Sequence, residues 1–322
     1  MNSPEPLSAW ETQRPAIRRT LWRLLGDLPP IFTPEVQIVA RVERERYTIE
    51  KITFDNGAGA VVFGYVLIPR GLQQPAPAVL YCHYHGGHYH LGKDEMFQDR
   101  VRVPPLGPAL VEAGFVVLAI DAYAFGERQS QGPAGTLEVG RETEVALFKK
   151  FLWEGRTLWG MMVRDDLLAL NYLCARPDVD PTRLVATGMS FGGSRTTWIS
   201  ALDDRITLTI PVAQMTRYHD FAEAGSLNGH RVYYFVPGAL VAGMDMEHLT
   251  SLVAPRAQII LIGDSDPLSP VSGVRAVEAF TRRVYGLYGA ADRFETVIYE
   301  GLAHAYTPPM FAAVMAGLRR FV

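Results

Sequence analysis

Apolar and polar positions change rhythm along this chain, and the change divides it. From Ser8 to Leu25 the apolar residues Trp10, Ile17, Leu21, Leu24 and Leu25 have the spacing of an amphipathic helix, with Gly26 as its stop. Pro29, Pro30 and Pro34 then form a connector. Two strands follow, Tyr47 to Phe54 and Ala60 to Ile68, and the turn pair Asn56-Gly57 between them predicts an antiparallel hairpin. Pro69 to Pro77 reads as a loop.

Beyond this point short apolar runs alternate with helical periodicity. Strands are predicted at Ala78 to His83, Phe115 to Asp121, Arg183 to Ala186, Ile206 to Ala213, Gln258 to Ile262 and Phe294 to Tyr299. Helices are predicted at Leu106 to Ala113, Arg156 to Leu173, Ser194 to Leu202 and Val274 to Tyr285. Such alternation implies an α/β fold with a mostly parallel central sheet covered by helices on both faces. Functional groups then gather at the carboxyl ends of the strands. Two stretches break the pattern: residues 129–153, which carry one helical segment, and the aromatic, irregular residues 214–249. Insertions of this length are expected to act as lids or binding walls. The expected organisation is an N-terminal helical extension, residues 1–45, and one catalytic domain, residues 46–322.

Composition narrows the field. The chain has 322 residues, 48% hydrophobic and 20% charged, which is enough for a full core. Its net charge of -3 provides no electrostatic footprint for nucleic acid or an anionic membrane, so neither is expected as a partner. Cys82 and Cys174 form no disulfide framework and read as buried free thiols. Glu5, Glu11, Arg14, Arg18, Arg19 and Arg23 interrupt the first thirty residues, which lack the apolar core of a secretory signal. No run approaches the ~18 apolar residues that span a bilayer, and a cytoplasmic location is expected. Oligomeric state is not legible.

The chemistry centres on Thr187-Gly188-Met189-Ser190-Phe191-Gly192-Gly193. A serine with glycines two positions before and after it, between a strand and a helix, is the G-x-S-x-G elbow. The tight turn strains the serine backbone and brings the chain so close that side chains at 188 and 192 would clash. It also leaves the hydroxyl in front of a helix N-terminus with unpaired N–H groups. A serine hydroxyl needs a base and a group that orients the base. In elbow enzymes of this layout the order along the chain is serine, acid, histidine. The strand Gln258 to Ile262 runs into Gly263-Asp264-Ser265-Asp266, and the last strand runs into Glu300-Gly301-Leu302-Ala303-His304. His304 is therefore the expected base and Asp266 the preferred acid, with Asp264 as the alternative.

An oxyanion formed in acyl transfer needs two positioned N–H donors. One is expected from Phe191, the residue after the nucleophile. The other is expected from the loop Cys82-His83-Tyr84-His85-Gly86-Gly87-His88-Tyr89-His90, from His85 or, alternatively, Tyr84. Four histidines in this loop also suggest zinc, but the spacing lacks a helical i, i+4 pair or a distant third ligand, and no metal or cofactor is expected. The histidines read instead as a polar pocket rim with His83 packed inside. Asp165-Asp166 read as a solvated or salt-bridged helix face, and Asp121 as an anchor for the Phe125-Gly126 loop. Trp153, Trp159, Tyr218, Phe221, Tyr233, Tyr234 and Phe235 are candidates for an aromatic pocket, or for core.

Taken together, several of these stretches are similar to the dienelactone hydrolase/acetyl-xylan-esterase-like branch of the α/β-hydrolases. They are the elbow, His83-Tyr84-His85-Gly86-Gly87, Asp121-Ala122-Tyr123-Ala124-Phe125-Gly126-Glu127-Arg128, Ala254-Pro255-Arg256 and Gly263-Asp264-Ser265-Asp266 with Pro270. The resemblance covers about residues 45 to 322. It implies the α/β-hydrolase fold and serine esterase chemistry on a small-molecule ester, with Asp266 at the acid position. The chain departs from true dienelactone hydrolases, which carry cysteine where Ser190 stands, and it has Tyr84 where many relatives have glycine. Two other readings compete. Peptidases of the prolyl-oligopeptidase kind share the core but carry a propeller that about 75 residues cannot build. A catalytically inactive binding module has no need of serine, acid and histidine in order.

Overall fold

The computed structural model describes residues 6–99, 102–225 and 227–322. Strands β1 (Gln37–Glu43), β2 (Tyr47–Asp55), β3 (Val61–Pro69), β4 (Ala76–Cys82), β5 (Val116–Ile120), β6 (Val179–Met189), β7 (Ile206–Val212), β8 (Ala257–Gly263) and β9 (Phe294–Tyr299) form one sheet. The order across it is β1-β2-β3-β5-β4-β6-β7-β8-β9. The first three strands and β5 pair antiparallel, and every pairing from β5 through β9 is parallel. The α/β expectation holds, and so does the hairpin at Asn56-Gly57. In the hairpin, Asn56 Oδ1 accepts the N–H groups of Ala58 and Ala60.

Helices α1 (Leu7–Leu25), α2 (Leu106–Glu112), α3 (Arg141–Trp153), α4 (Leu158–Ala175), α5 (Phe191–Leu202), α6 (Tyr218–Glu223), α7 (Met246–Leu252), α8 (Val271–Leu287) and α9 (Pro308–Phe321) complete the order. Successive strand residues feed opposite cores. Ala78, Leu80 and Cys82 of β4 join the core beneath α1, α4, α5, α7 and α8, whereas Val79 and Tyr81 join that beneath α2 and α9. Period-2 side chains buried on both faces are what a helix-covered parallel sheet requires. Helix α1 buries Trp10, Ile17, Leu21 and Leu25, each contributing about 1.5–3 kcal/mol before ordering costs. It ends at Gly26, where φ is +94° and a Cβ would lie 2.4 Å from the Arg156 Cα.

Three details differ from the sequence reading. Residues 37–43 form the edge strand β1, so the expected extension supplies part of the sheet. Helix α4 begins at Leu158 rather than Arg156, because the Thr157 hydroxyl caps it by accepting the Gly160 N–H at 2.8 Å. Asp165 and Asp166 are not a solvated face: both are buried and paired, Asp165 with Arg128 at 2.9 Å and Asp166 with Arg195. From Leu158 to Leu170 every residue of helix α4 is buried, so its polar residues there must find partners inside. Cys82 is buried as expected, while Cys174 is only partly buried. Among the described residues no helix is long and apolar enough to cross a membrane.

Candidate active site

The order in which strands are added to the sheet reverses around β4: β5 lies on one side of it and β6 on the other, all three parallel. A crevice at the carboxyl ends of the strands forms at such a switch point. Ser190 stands there, between β6 and α5, at φ 55° and ψ -116°. A serine held in that region costs on the order of 1–3 kcal/mol and persists only where its surroundings over-determine it. They do so here. The Ser190 N–H donates to the Val212 carbonyl at 2.8 Å. A Cβ at Gly188 would lie 2.2 Å from the Cys82 carbonyl oxygen, and one at Gly192 would lie 2.0 Å from it. Glycine is required at 188 and 192 because the last carbonyl of β4 fills the space.

Past the end of β9, His304 places Nε2 2.8 Å from Ser190 Oγ and Nδ1 2.7 Å from Asp266 Oδ2. A carboxylate at Nδ1 can only accept, so Nδ1 carries the hydrogen and Nε2 keeps a lone pair facing the serine. Asp266 is 3% exposed, and its other oxygen accepts the Leu268 N–H at 2.9 Å. The structure therefore brings Ser190, His304 and Asp266 together. Asp264 is kept apart: its carboxylate accepts the Gly301 N–H at 2.8 Å and the Ser265 hydroxyl at 3.0 Å. It closes the turn beneath the histidine loop.

Tyr84, Gly86, Met189, Ser190, His304 and Tyr306 line a cavity of about 300 Å³. The His85 backbone lies between two of these wall residues. Phe191 opens α5, where first-turn N–H groups have no helical acceptor. His83 is packed inside as expected and His88 and His90 are exposed, but the rim reading needs correction at His85, which is buried. His83 Nε2 accepts the Ala122 N–H at 3.1 Å, so its Nδ1–H donates to the Tyr84 carbonyl at 2.9 Å. It clips the loop to the end of β5, and burial holds its pKa well below the ordinary histidine value. The ring of His85 enters a cage formed by Tyr89, Phe125, Phe191 and Tyr233.

Asp121 is buried and anchors its loop as expected. It pairs with the Lys93 ammonium at 2.8 Å and accepts the Lys93 and Glu127 N–H groups at 2.7 and 3.0 Å. The aromatic candidates divide. Trp159 and Tyr233 pack against Phe191. Tyr218, Phe221, Tyr234 and Phe235 wall a second, apolar cavity of about 370 Å³, while Trp153 is 94% exposed. Sequence reasoning missed His230, which bonds to the Leu268 carbonyl at 3.3 Å beside Asp266, and Glu144, which meets His85. Neither carries a local signal, since both lie in the two insertions that break the strand–helix alternation. Among the described residues no three His, Cys, Asp or Glu side chains converge to hold a metal ion.

Sheet order, strained elbow and crevice together define an α/β hydrolase. Comparison with known proteins agrees: the Abhydrolase family matches over residues 5–222, and the chain belongs to it. YtaP of Bacillus subtilis (strain 168), named by inference as a hydrolase, is 36% identical over 282 residues, which are 87% of this chain and 90% of YtaP. A Bacteroides fragilis NCTC 9343 structure, provisionally assigned as an acetyl xylan esterase, superposes with a TM-score of 0.76 at 19% identity, covering 98% of this chain and 89% of that one. The glucuronoyl esterase from Solibacter usitatus superposes at 0.72 and 16% identity, covering 98% and 94%.

Proposed function

We propose that the chain is a carboxylic ester hydrolase that works through an acyl-enzyme on Ser190. The observation that carries this reading is the imidazole of His304, held between Ser190 Oγ at 2.8 Å and Asp266 at 2.7 Å. Ser190 Oγ attacks the ester carbonyl carbon while its proton passes to His304 Nε2. The carbonyl oxygen takes the negative charge and is met by the N–H groups of Phe191 and His85. Collapse expels the alcohol, which takes the proton from His304 and leaves the acyl group on Ser190. Water then repeats the sequence, losing a proton to His304, releasing the acid and restoring the serine. Asp266 holds the imidazole in the tautomer this needs and stabilises the imidazolium.

A cavity of about 300 Å³ lined by Tyr84, Ser190, His304 and Tyr306 has room for an ester of small-molecule size. The carbohydrate esterases among its structural relatives point to a sugar-like alcohol, and cytoplasmic small-molecule esters are the expected substrates. The test is hydrolysis of a panel of acetyl, longer acyl, aryl and sugar esters by the wild type and Ser190→Ala. The variant is expected to fold and to lose on the order of a million-fold in turnover. Activity of Ser190→Ala within tenfold of the wild type refutes the proposal.

A further inference from the structure

Glu144 lies on α3, inside an insertion that carries none of Ser190, His304 or Asp266. It is 1% exposed, and its carboxylate lies 3.0 Å from His85 Nε2, itself 5% exposed. The opposite ring nitrogen of His85, Nδ1, accepts the Gly87 N–H at 3.0 Å. A nitrogen that accepts from an N–H carries no hydrogen, so the hydrogen of His85 sits on Nε2 and donates to Glu144. Both polar edges of the ring are thereby used. Its faces are used as well: Tyr233 stacks at 5.5 Å, and Phe125 and Tyr89 meet it edge-on at 4.8 Å. A ring flip would put carbon where each polar partner now sits.

The backbone of this same residue runs between Tyr84 and Gly86, two walls of the cavity at Ser190. We propose that Glu144 is a positioning residue: through the His85 ring it fixes the peptide that presents an N–H to the oxyanion. The inference rests on the esterase reading above and deepens it, since it gives the insertion a part in transition-state binding. A donor displaced by about 1 Å still tolerates the neutral carbonyl of the ground state but serves the oxyanion poorly. The effect therefore belongs in kcat and not in KM.

The test compares kcat, KM and the inhibition constant of an aryl boronic acid. In that probe Ser190 Oγ bonds to boron, the hydroxyl proton passes to His304, and the tetrahedral boronate anion places one of its hydroxyl oxygens where the oxyanion forms. Glu144→Ala is expected to lose about 10- to 100-fold in kcat with KM within about threefold, and boronate affinity falls in proportion. Glu144→Gln keeps an acceptor for Nε2–H and is expected to recover at least about a third of kcat. If Glu144→Ala fails to fold, the double variant Glu144→Leu/His85→Phe replaces the buried polar pair by an apolar one of similar size, which folds tolerate. It keeps the backbone N–H and the aromatic packing but loses both hydrogen bonds of the ring, so the same kcat loss is expected. A folded alanine or double variant with wild-type kcat and boronate affinity overturns the inference, as does a loss confined to KM. Ester hydrolysis that survives Ser190→Ala would instead refute the esterase reading itself.

Discussion

Replacing Asp266 by asparagine changes one atom, and the structure dictates how the new amide must sit. One oxygen of Asp266 accepts the Leu268 N–H at 2.9 Å, and the other faces His304 Nδ1 at 2.7 Å. An amide has a single acceptor, and the Leu268 N–H holds it there, so the NH₂ group turns toward the imidazole. Nδ1 must then accept, and the ring hydrogen moves to Nε2, facing Ser190 with nothing to take the hydroxyl proton. The same change in a well-characterised serine protease lowers turnover about ten-thousand-fold, which is roughly 5.5 kcal/mol of barrier. A loss of this order is expected for Asp266→Asn with little change in melting temperature. Asp264→Asn is the matched control: its Oδ1 still accepts the Gly301 N–H, so turnover is expected within about tenfold of wild type. Steady-state hydrolysis of an activated acetyl ester, with thermal melts for both variants, decides the matter. An inactive Asp264→Asn beside a working Asp266→Asn would refute the reasoning and leave the nucleophile standing.

Other outcomes follow from the interior. Asp166→Ala strands the buried guanidinium of Arg195 on the elbow helix α5, and a loss of about 3–5 kcal/mol is expected, read as a melting-temperature drop of about 4–7 °C. A drop under about 2 °C would show that the pair contributes little. Burial lowers the pKa of His230 from 6.5 to about 4, so the folded protein holds it neutral. Its stabilising share is complete above the unfolded value and is lost as pH falls toward the folded one. Between pH 7 and pH 5 the wild type should lose about 2 kcal/mol relative to His230→Phe, and a gap independent of pH would count against it.

How much of this was legible in the sequence depends on where the information resides. Alternating apolar runs gave the parallel strands to within a few residues because both faces are buried and the period cannot slip. Strand β1 escaped because all seven of its residues are exposed, so no alternation marks it, and prolines precede it. Helix α9 was also missed, although Met310, Val314 and Leu318 recur every four residues and are buried. Ser190, His304 and Asp266 were readable because each follows a strand end in a fixed order. The partners of Asp165, Asp166, His85 and His230 were not. Each pairs with a residue 29 or more positions away, and a contact that long is set by packing rather than by local pattern.

The central claim is that the acyl group passes through Ser190. Mixing the enzyme with p-nitrophenyl acetate, quenching in acid within the first turnovers and mapping peptides by mass spectrometry tests it directly. An acetyl adduct confined to the Ser190 peptide, absent in Ser190→Ala and accumulating with a burst of one nitrophenolate per chain, is the predicted result. Hydrolysis that proceeds with no adduct on Ser190, or an adduct on another residue that turns over at the steady-state rate, would contradict the account.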